Sequence, residues 1–253
     1  MLTVGLWNMV ARQRFQDTMT TLRSTVQSQY EEVRTSINER LGKVNVNNCG
    51  AQAVGTSGCL AIGKLIQFSG QDVIISYVIL HGDASADSGQ SDLSILKAAA
   101  SNGNLGMIRS SSSVPAGNYY TSDSAVIPQT IRMQWGGEFA SGWTIPPSDT
   151  GTAQKSSAIA ILHSPNSGSI LVFSFAGDAV GTDGVLIMAN ATVNQPVAIM
   201  IKNTQAGFAG AALCVGSGSS STVVRTVVPV PNFSDFTGLT SPSANNLRSL
   251  CSV

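Results

Sequence analysis

Charge is what this chain has least of. Only 28 of its 253 residues are Asp, Glu, Lys or Arg, 14 of each sign, or 11% against roughly 25% in ordinary globular proteins. With zero formal net charge there is no basic excess, so an electrostatic clamp on nucleic acid is excluded. A disordered chain needs low hydrophobicity with high net charge, and 43% of these residues are hydrophobic. Long apolar runs are also missing. The longest, around Val73–Leu80 and interrupted by Ser76, is under half of the about 18 residues a membrane helix requires, so no membrane span is expected.

Cysteine and histidine are scarce. Cys49, Cys59, Cys214 and Cys251 form no CxxC pair and no Cys/His cluster of zinc-site spacing. Too few to build a disulfide scaffold, they read as buried or incidental thiols. Of the three pairings they allow, Cys49–Cys59 is the closest in sequence. The start, MLTVGLWNMVARQRF, lacks a basic region followed by an apolar core and a small-residue cleavage site. It does not read as a secretory signal, and the sequons at Asn190 and Asn232 then read as chance.

Catalytic constellations are likewise thin. His81 and His163 each end a predicted strand, and Asp83 with neighbouring serines allows a Ser/His/Asp set on paper. No GxSxG elbow supports it. Ser94-Ile-Leu-Lys97 matches SxxK, but 34 serines and five lysines make such matches by chance, and no KTG follows. Gly207–Gly210 and Gly216–Ser221 match neither GxGxxG nor a P-loop. Arg109 beside Ser110–Ser113 reads as a wet loop, and Trp135 and Trp143 around Gly136-Gly137 read as core or as a contact surface. No catalytic residue is nominated and no enzyme is expected. One acidic run has chemistry to weigh. Asp83, Ser85, Asp87 and Asp92 place oxygens at near-alternate positions around Gly89, as at the start of a calcium loop. The glycine comes one place late and Ser94 stands where the closing glutamate belongs. A solvated loop explains the run better; Ca²⁺ is the one candidate ion, and otherwise no cofactor is expected.

What the chain does have is unevenly spread. Residues 1–43 hold 10 of the 28 charges, and after them Glu138 is the only glutamate. Glu and Arg favour helix, whereas the rest is rich in Val, Ile, Thr, Ser and Gly. The chain is therefore divided into an N-terminal helical arm (1–48), a β body (49–230) and an irregular C-terminal tail (231–253). In the arm, Phe15, Met19, Leu22, Val26, Tyr30, Val33, Ile37, Leu41 and Val44 repeat every eleven residues. That period stays on one face of a straight helix and predicts a helix over about 8–42, closed by Gly42. At about 1.5 Å per residue it would run roughly 50 Å, long for a lid on one small domain. The stripe is therefore expected to meet a neighbouring subunit, with packing on the chain's own body as the alternative.

The body reads as ten or eleven short strands with turn punctuation. The clearest hairpin joins Ile159–His163 to Ile170–Phe175 through Ser164-Pro-Asn-Ser-Gly168. Asp92–Ala100 reads as a short helix capped by Ser91 or Asp92. Strands without alternating helices predict a mainly β fold, an antiparallel β-sandwich or jelly roll preceded by a long amphipathic helix.

In size and layout the whole chain resembles the single jelly-roll coat (capsid) proteins of non-enveloped icosahedral viruses. The resemblance implies a non-enzymatic virion subunit that self-assembles into a symmetric shell through its β body and helix. Its partners would be copies of itself or other capsid subunits, with a host receptor. Many such coats carry a disordered Arg/Lys-rich arm; this arm has mixed charge, so nucleic acid is not expected to be held by a basic arm. The alternatives are a trimeric receptor-binding fibre or spike head on a helical stalk, and a carbohydrate-binding β-sandwich module.

Overall fold

The computed structural model describes residues 2–35, 59–81, 90–107, 109–110, 121–122, 128–148, 151–164, 167–181, 184–204, 210–216, 224–229 and 242–251. The fold is mainly β with an N-terminal helix. Helix α1 spans Leu2–Thr35, starting earlier than its stripe predicts. The strands are β1 (Cys59–Ser69), β2 (Asp72–His81), β3 (Leu105–Met107), β4 (Arg109–Ser110), β5 (Thr121–Ser122), β6 (Gln129–Arg132) and β7 (Gly137–Thr144). They continue with β8 (Gln154–Lys155), β9 (Ala158–His163), β10 (Ile170–Phe175), β11 (Ala191–Val193), β12 (Val197–Asn203), β13 (Gly210–Val215) and β14 (Val224–Pro229). Helix α2 (Asp92–Ser101) lies between β2 and β3, and helix α3 (Ala244–Cys251) follows β14.

The strands form two antiparallel sheets. A seven-stranded sheet runs β11-β10-β9-β1-β2-β3, with β6 also on β2; a five-stranded sheet runs β14-β13-β12-β7-β8. A short parallel pair, β4-β5, stands apart. The predicted hairpin forms as β9-β10, with Ile170 opposite His163 and Phe175 opposite Ala158. Ser91 caps α2, its hydroxyl accepting from the Ser94 amide, as an N-cap serine should. Two predicted strands shrink. Ala125–Trp135 keeps only β6 among its described residues, because Trp135 and Gly136 turn at φ 55° and 77°. Val185–Val193 is broken by a 3-10 turn at Met188–Asn190 before β11 begins. At Gly63, where β1 bulges against β2, a Cβ would collide with the Ile161 carbonyl, so only glycine lets β1 and β9 approach.

Alternation along the strands explains the layering. In β12, Val197, Ile199 and Ile201 join the core around α1, while Ala198 and Met200 face α3; β13 alternates in the same way. In β9, Ile159 and Ile161 face α1, and Ala158, Ala160 and Leu162 face the α2 side. Each sheet is therefore apolar on both faces. The layers run α2, large sheet, α1, small sheet, α3. Each face is covered by another part of the same chain.

Helix α1 joins the sheets. Phe15, Met19, Leu22, Val26, Tyr30 and Val33 are all at most 5% exposed, and they share one core with residues of both sheets. This corrects the expectation of a subunit seam at those positions. The stripe covers its own β body, and the length of the helix is explained by its lying across two sheets rather than one. Ile37, Leu41, Val44 and Gly42 lie outside the described residues. The tail needs correcting too, since it contains α3. Leu22→Ala should cost about 2–5 kcal/mol, the range for a buried leucine whose cavity cannot collapse. Leu6→Ala, on an exposed turn of the same helix, should stay within about 0.5 kcal/mol. Urea melts of the two variants test this; equal losses would contradict the buried stripe.

Candidate functional site

Four local arrangements carry the polar and exposed chemistry of the described residues. The first is a buried charge between α1 and the large sheet. Lys64 on β1 is 6% exposed. Its ammonium pairs with the Glu32 carboxylate, donates to Gln29 Oε1 at 2.7 Å and lies 4.6 Å from the centre of the Tyr77 ring. Tyr77, opposite Lys64 in the ladder, donates its hydroxyl to Glu32 at 3.1 Å. A buried ammonium is tolerated only when its donors are met by acceptors. Here a carboxylate, an amide oxygen and a ring face surround it. The arrangement fixes where α1 sits along the sheet.

The second is the tip of the β9-β10 hairpin beside α2. Asp92 accepts hydrogen bonds from Ser167 Oγ and, at 3.0 Å, from Ser169 Oγ. Hydrogen bonding from Ser167 first, then from Ser164 and Ser169, holds its carboxyl below the ordinary 3.8. Of the candidate calcium ligands only Asp92 is described, and serine hydroxyls engage it; Asp83, Ser85 and Asp87 lie outside the described residues. Among the described residues no group of three or more His, Cys, Asp or Glu is placed to hold a metal ion. Ser94, the SxxK serine, donates to the Ser91 carbonyl at 2.6 Å, so its hydroxyl serves the helix start.

The third is a disulfide between Cys214 on β13 and Cys251, the last residue of α3. The reading of these two as thiols is thereby corrected. Ala244, Leu247 and Cys251 form the buried face of α3, which packs on Trp143, Met200 and Cys214. That packing brings the two Cα atoms to 5.6 Å, inside the range a bridge needs. The 3-and-4 spacing of Ala244, Leu247 and Cys251 was the available signal for α3, but eight residues make a weak period. The two tryptophans separate: Trp143 is core, at 2% exposed, and Trp135 is 43% exposed beneath the guanidinium of Arg14, 4.3 Å away.

The fourth arrangement was missed in the sequence. Leu6, Trp7, Met9 and Val10 are 62%, 68%, 73% and 37% exposed, and no residue from Leu6 to Arg14 is buried. Carried backwards, the eleven-residue repeat falls on Val4, Asn8 and Ala11. The apolar side chains of Leu6, Met9 and Val10 are off that phase, and this break was the legible signal. Among the described residues no helix is long and apolar enough to cross a membrane. No family model, curated protein or solved structure matches the chain.

Two measurements follow. Cys251→Ser should lower stability by about 2–4 kcal/mol, and hydrogen exchange should show α3 losing protection before the sheets do; unchanged protection of 244–251 would refute the staple. Because Asp92 is lowered on folding, its contribution is complete above the ordinary aspartate value and disappears as pH falls through the lowered one. A carboxyl NMR titration should find Asp92 below 3.8, moving up towards it in the Ser167→Ala/Ser169→Ala double variant.

Proposed function

We propose that this chain is a non-enzymatic structural subunit that self-assembles into a symmetric shell, a virion capsid built on a body of jelly-roll type. One observation carries the reading. The small sheet ends in β14, a six-residue strand with a partner on one side only among the described strands. An open edge of that length is a template for pairing with another chain. The other sheet ends are shorter: four residues in β6, three in β3 and in β11, two in β8, and short edges protect against such pairing. So β14 is where a copy of this chain would add. The helical-stalk form of a fibre loses its main support, because the stripe meant for trimerisation is spent inside the chain. A carbohydrate-binding module has no particular observation in its favour.

Along an antiparallel strand, residues alternately direct their backbone groups to the neighbour and away from it. Thr226→Pro and Val227→Pro therefore test the edge as a pair. One should break the chain's own ladder, and the other should leave a folded monomer that no longer assembles. Light scattering and particle imaging of the wild type should find closed shells. Discrete trimers would favour the fibre, and a stable monomer with glycan affinity would overturn both.

A further inference from the structure

The disulfide closes a unit that stands outside the two larger cores. We propose that Cys214 and Cys251 form a redox switch. A dithiol reductant opens the bridge, α3 leaves the small sheet, and the edge strand β14 loses its backing while α1 and both sheets stay folded. The consequence for assembly rests on the shell reading above; the release of α3 does not.

Few contacts hold α3 once the bridge is open. Its buried residues are Ala244, Leu247 and Cys251, with Leu250 partly covered. The Ser243 backbone bridges to Thr152, and the Arg248 guanidinium donates to the Pro146 carbonyl at 2.5 Å. A helix of eight residues does not hold itself in water, where about 12–15 are needed for even marginal stability. So α3 is a helix only while docked. One leucine, one alanine and polar contacts at the rim are set against the entropy of ordering the segment, and the covalent link tips that balance.

The other two cores stand without α3. The cluster around α1 and the cluster beneath α2 include no residue of it. Only the third does, where Leu247 packs with Trp143, Ala198, Met200 and Ala212 on the outer face of the small sheet. Reduction therefore uncovers that face alone. Cys214 and Cys251 are 2% and 1% exposed, so attack on a sulfur awaits a local lifting of α3. A thiolate of the reductant then forms a mixed disulfide with one cysteine, releasing the other. The second thiol of the reductant displaces the remaining cysteine. Two cysteine thiols and an oxidised dithiol result, the two protons passing from the reductant to the protein.

The link to assembly runs through β14. It pairs with β13 alone among the described strands, and both α1 and α3 lie against it. Without α3 it is an end strand with one ladder and one helix, and elements with few covering contacts open first. A strand that no longer holds its extended shape is a poor template for a copy.

The test is hydrogen exchange on the full chain with and without dithiothreitol, opening of the bridge being verified by the mass of the alkylated cysteines. Exchange of 244–251 should rise roughly thirtyfold, the lower limit for loss of a disulfide, that of β14 should rise with it, and that of α1 and β1 should stay unchanged. In a Trp7→Phe/Trp135→Phe background, where Trp143 is the one tryptophan left, reduction should shift emission to the red. Cys214→Ser/Cys251→Ser should show the released state without reductant, and Cys49→Ser/Cys59→Ser should respond as the wild type does. Protection of 244–251 that survives proven reduction would overturn the switch. So would α1 losing protection together with α3, which would make the bridge a staple of the whole fold. Light scattering of the same samples should find particles when oxidised and free subunits when reduced. Particles formed equally in both states would overturn the link to β14. A chain that forms particles in neither state, yet releases α3 on reduction, would refute the shell and leave the switch standing.

Discussion

The structure depends on one packing contact: a single helical stripe pressed between two sheets. Each sheet has an inner face of Ile, Val, Leu and Phe; α1 packs on both, and the sheets also meet directly where Phe68 of β1 stacks on Phe139 of β7, ring centres 5.7 Å apart. A fully buried side chain of this kind contributes about 1.5–3 kcal/mol, and six stripe positions are at most 5% exposed. Lys64 adds direction to that burial. Hydrophobic packing would tolerate sliding of the helix by a turn, but a sliding helix would carry Gln29 and Glu32 away from the ammonium they satisfy. The apolar contact holds the sheets together, and the polar one sets the register of the large sheet against the helix.

That arrangement gives the low charge a cause within the chain. Both faces of both sheets are covered, one by α1 and the other by α2 or α3. Strands such as β9, Ala-Ile-Ala-Ile-Leu-His, then have no solvent face on which to place Lys or Glu. Strands buried on both sides read as continuous apolar runs rather than as alternation. The shortage of charge is thus accounted for without neighbouring subunits, and a shell must be supported by particular surfaces, the edge at β14 first among them.

What could be read in advance follows the same physics. The β9-β10 hairpin, the cap of α2 and the periodic stripe were legible because each is a local pattern with its own punctuation. The partner of the stripe was not legible, since periodicity shows that a face is buried and not against what. The pairing of Cys214 with Cys251 depends on α3 docking on β13, a long-range event that spacing does not encode. Gln154–Lys155 makes a strand of two residues, too short for any period to appear. At the helix start the signal was present, but the regularity after Phe15 drew the reading away from the residues before it.

The order in which the chain is made bears on α1. Its stripe is synthesised before the strands it packs on, and its partners run past β13, whose Leu213 and Val215 share its core, to β14. Until those strands exist the helix has no complete site, and an apolar face long enough to span two sheets stands without cover. Contacts so distant in sequence make for slow folding and an exposed intermediate. During synthesis this molecule is therefore a natural client for chaperones, and at high expression a candidate for inclusion bodies. Both liabilities come from placing ahead of the sheets the element that the rest of the fold must close around.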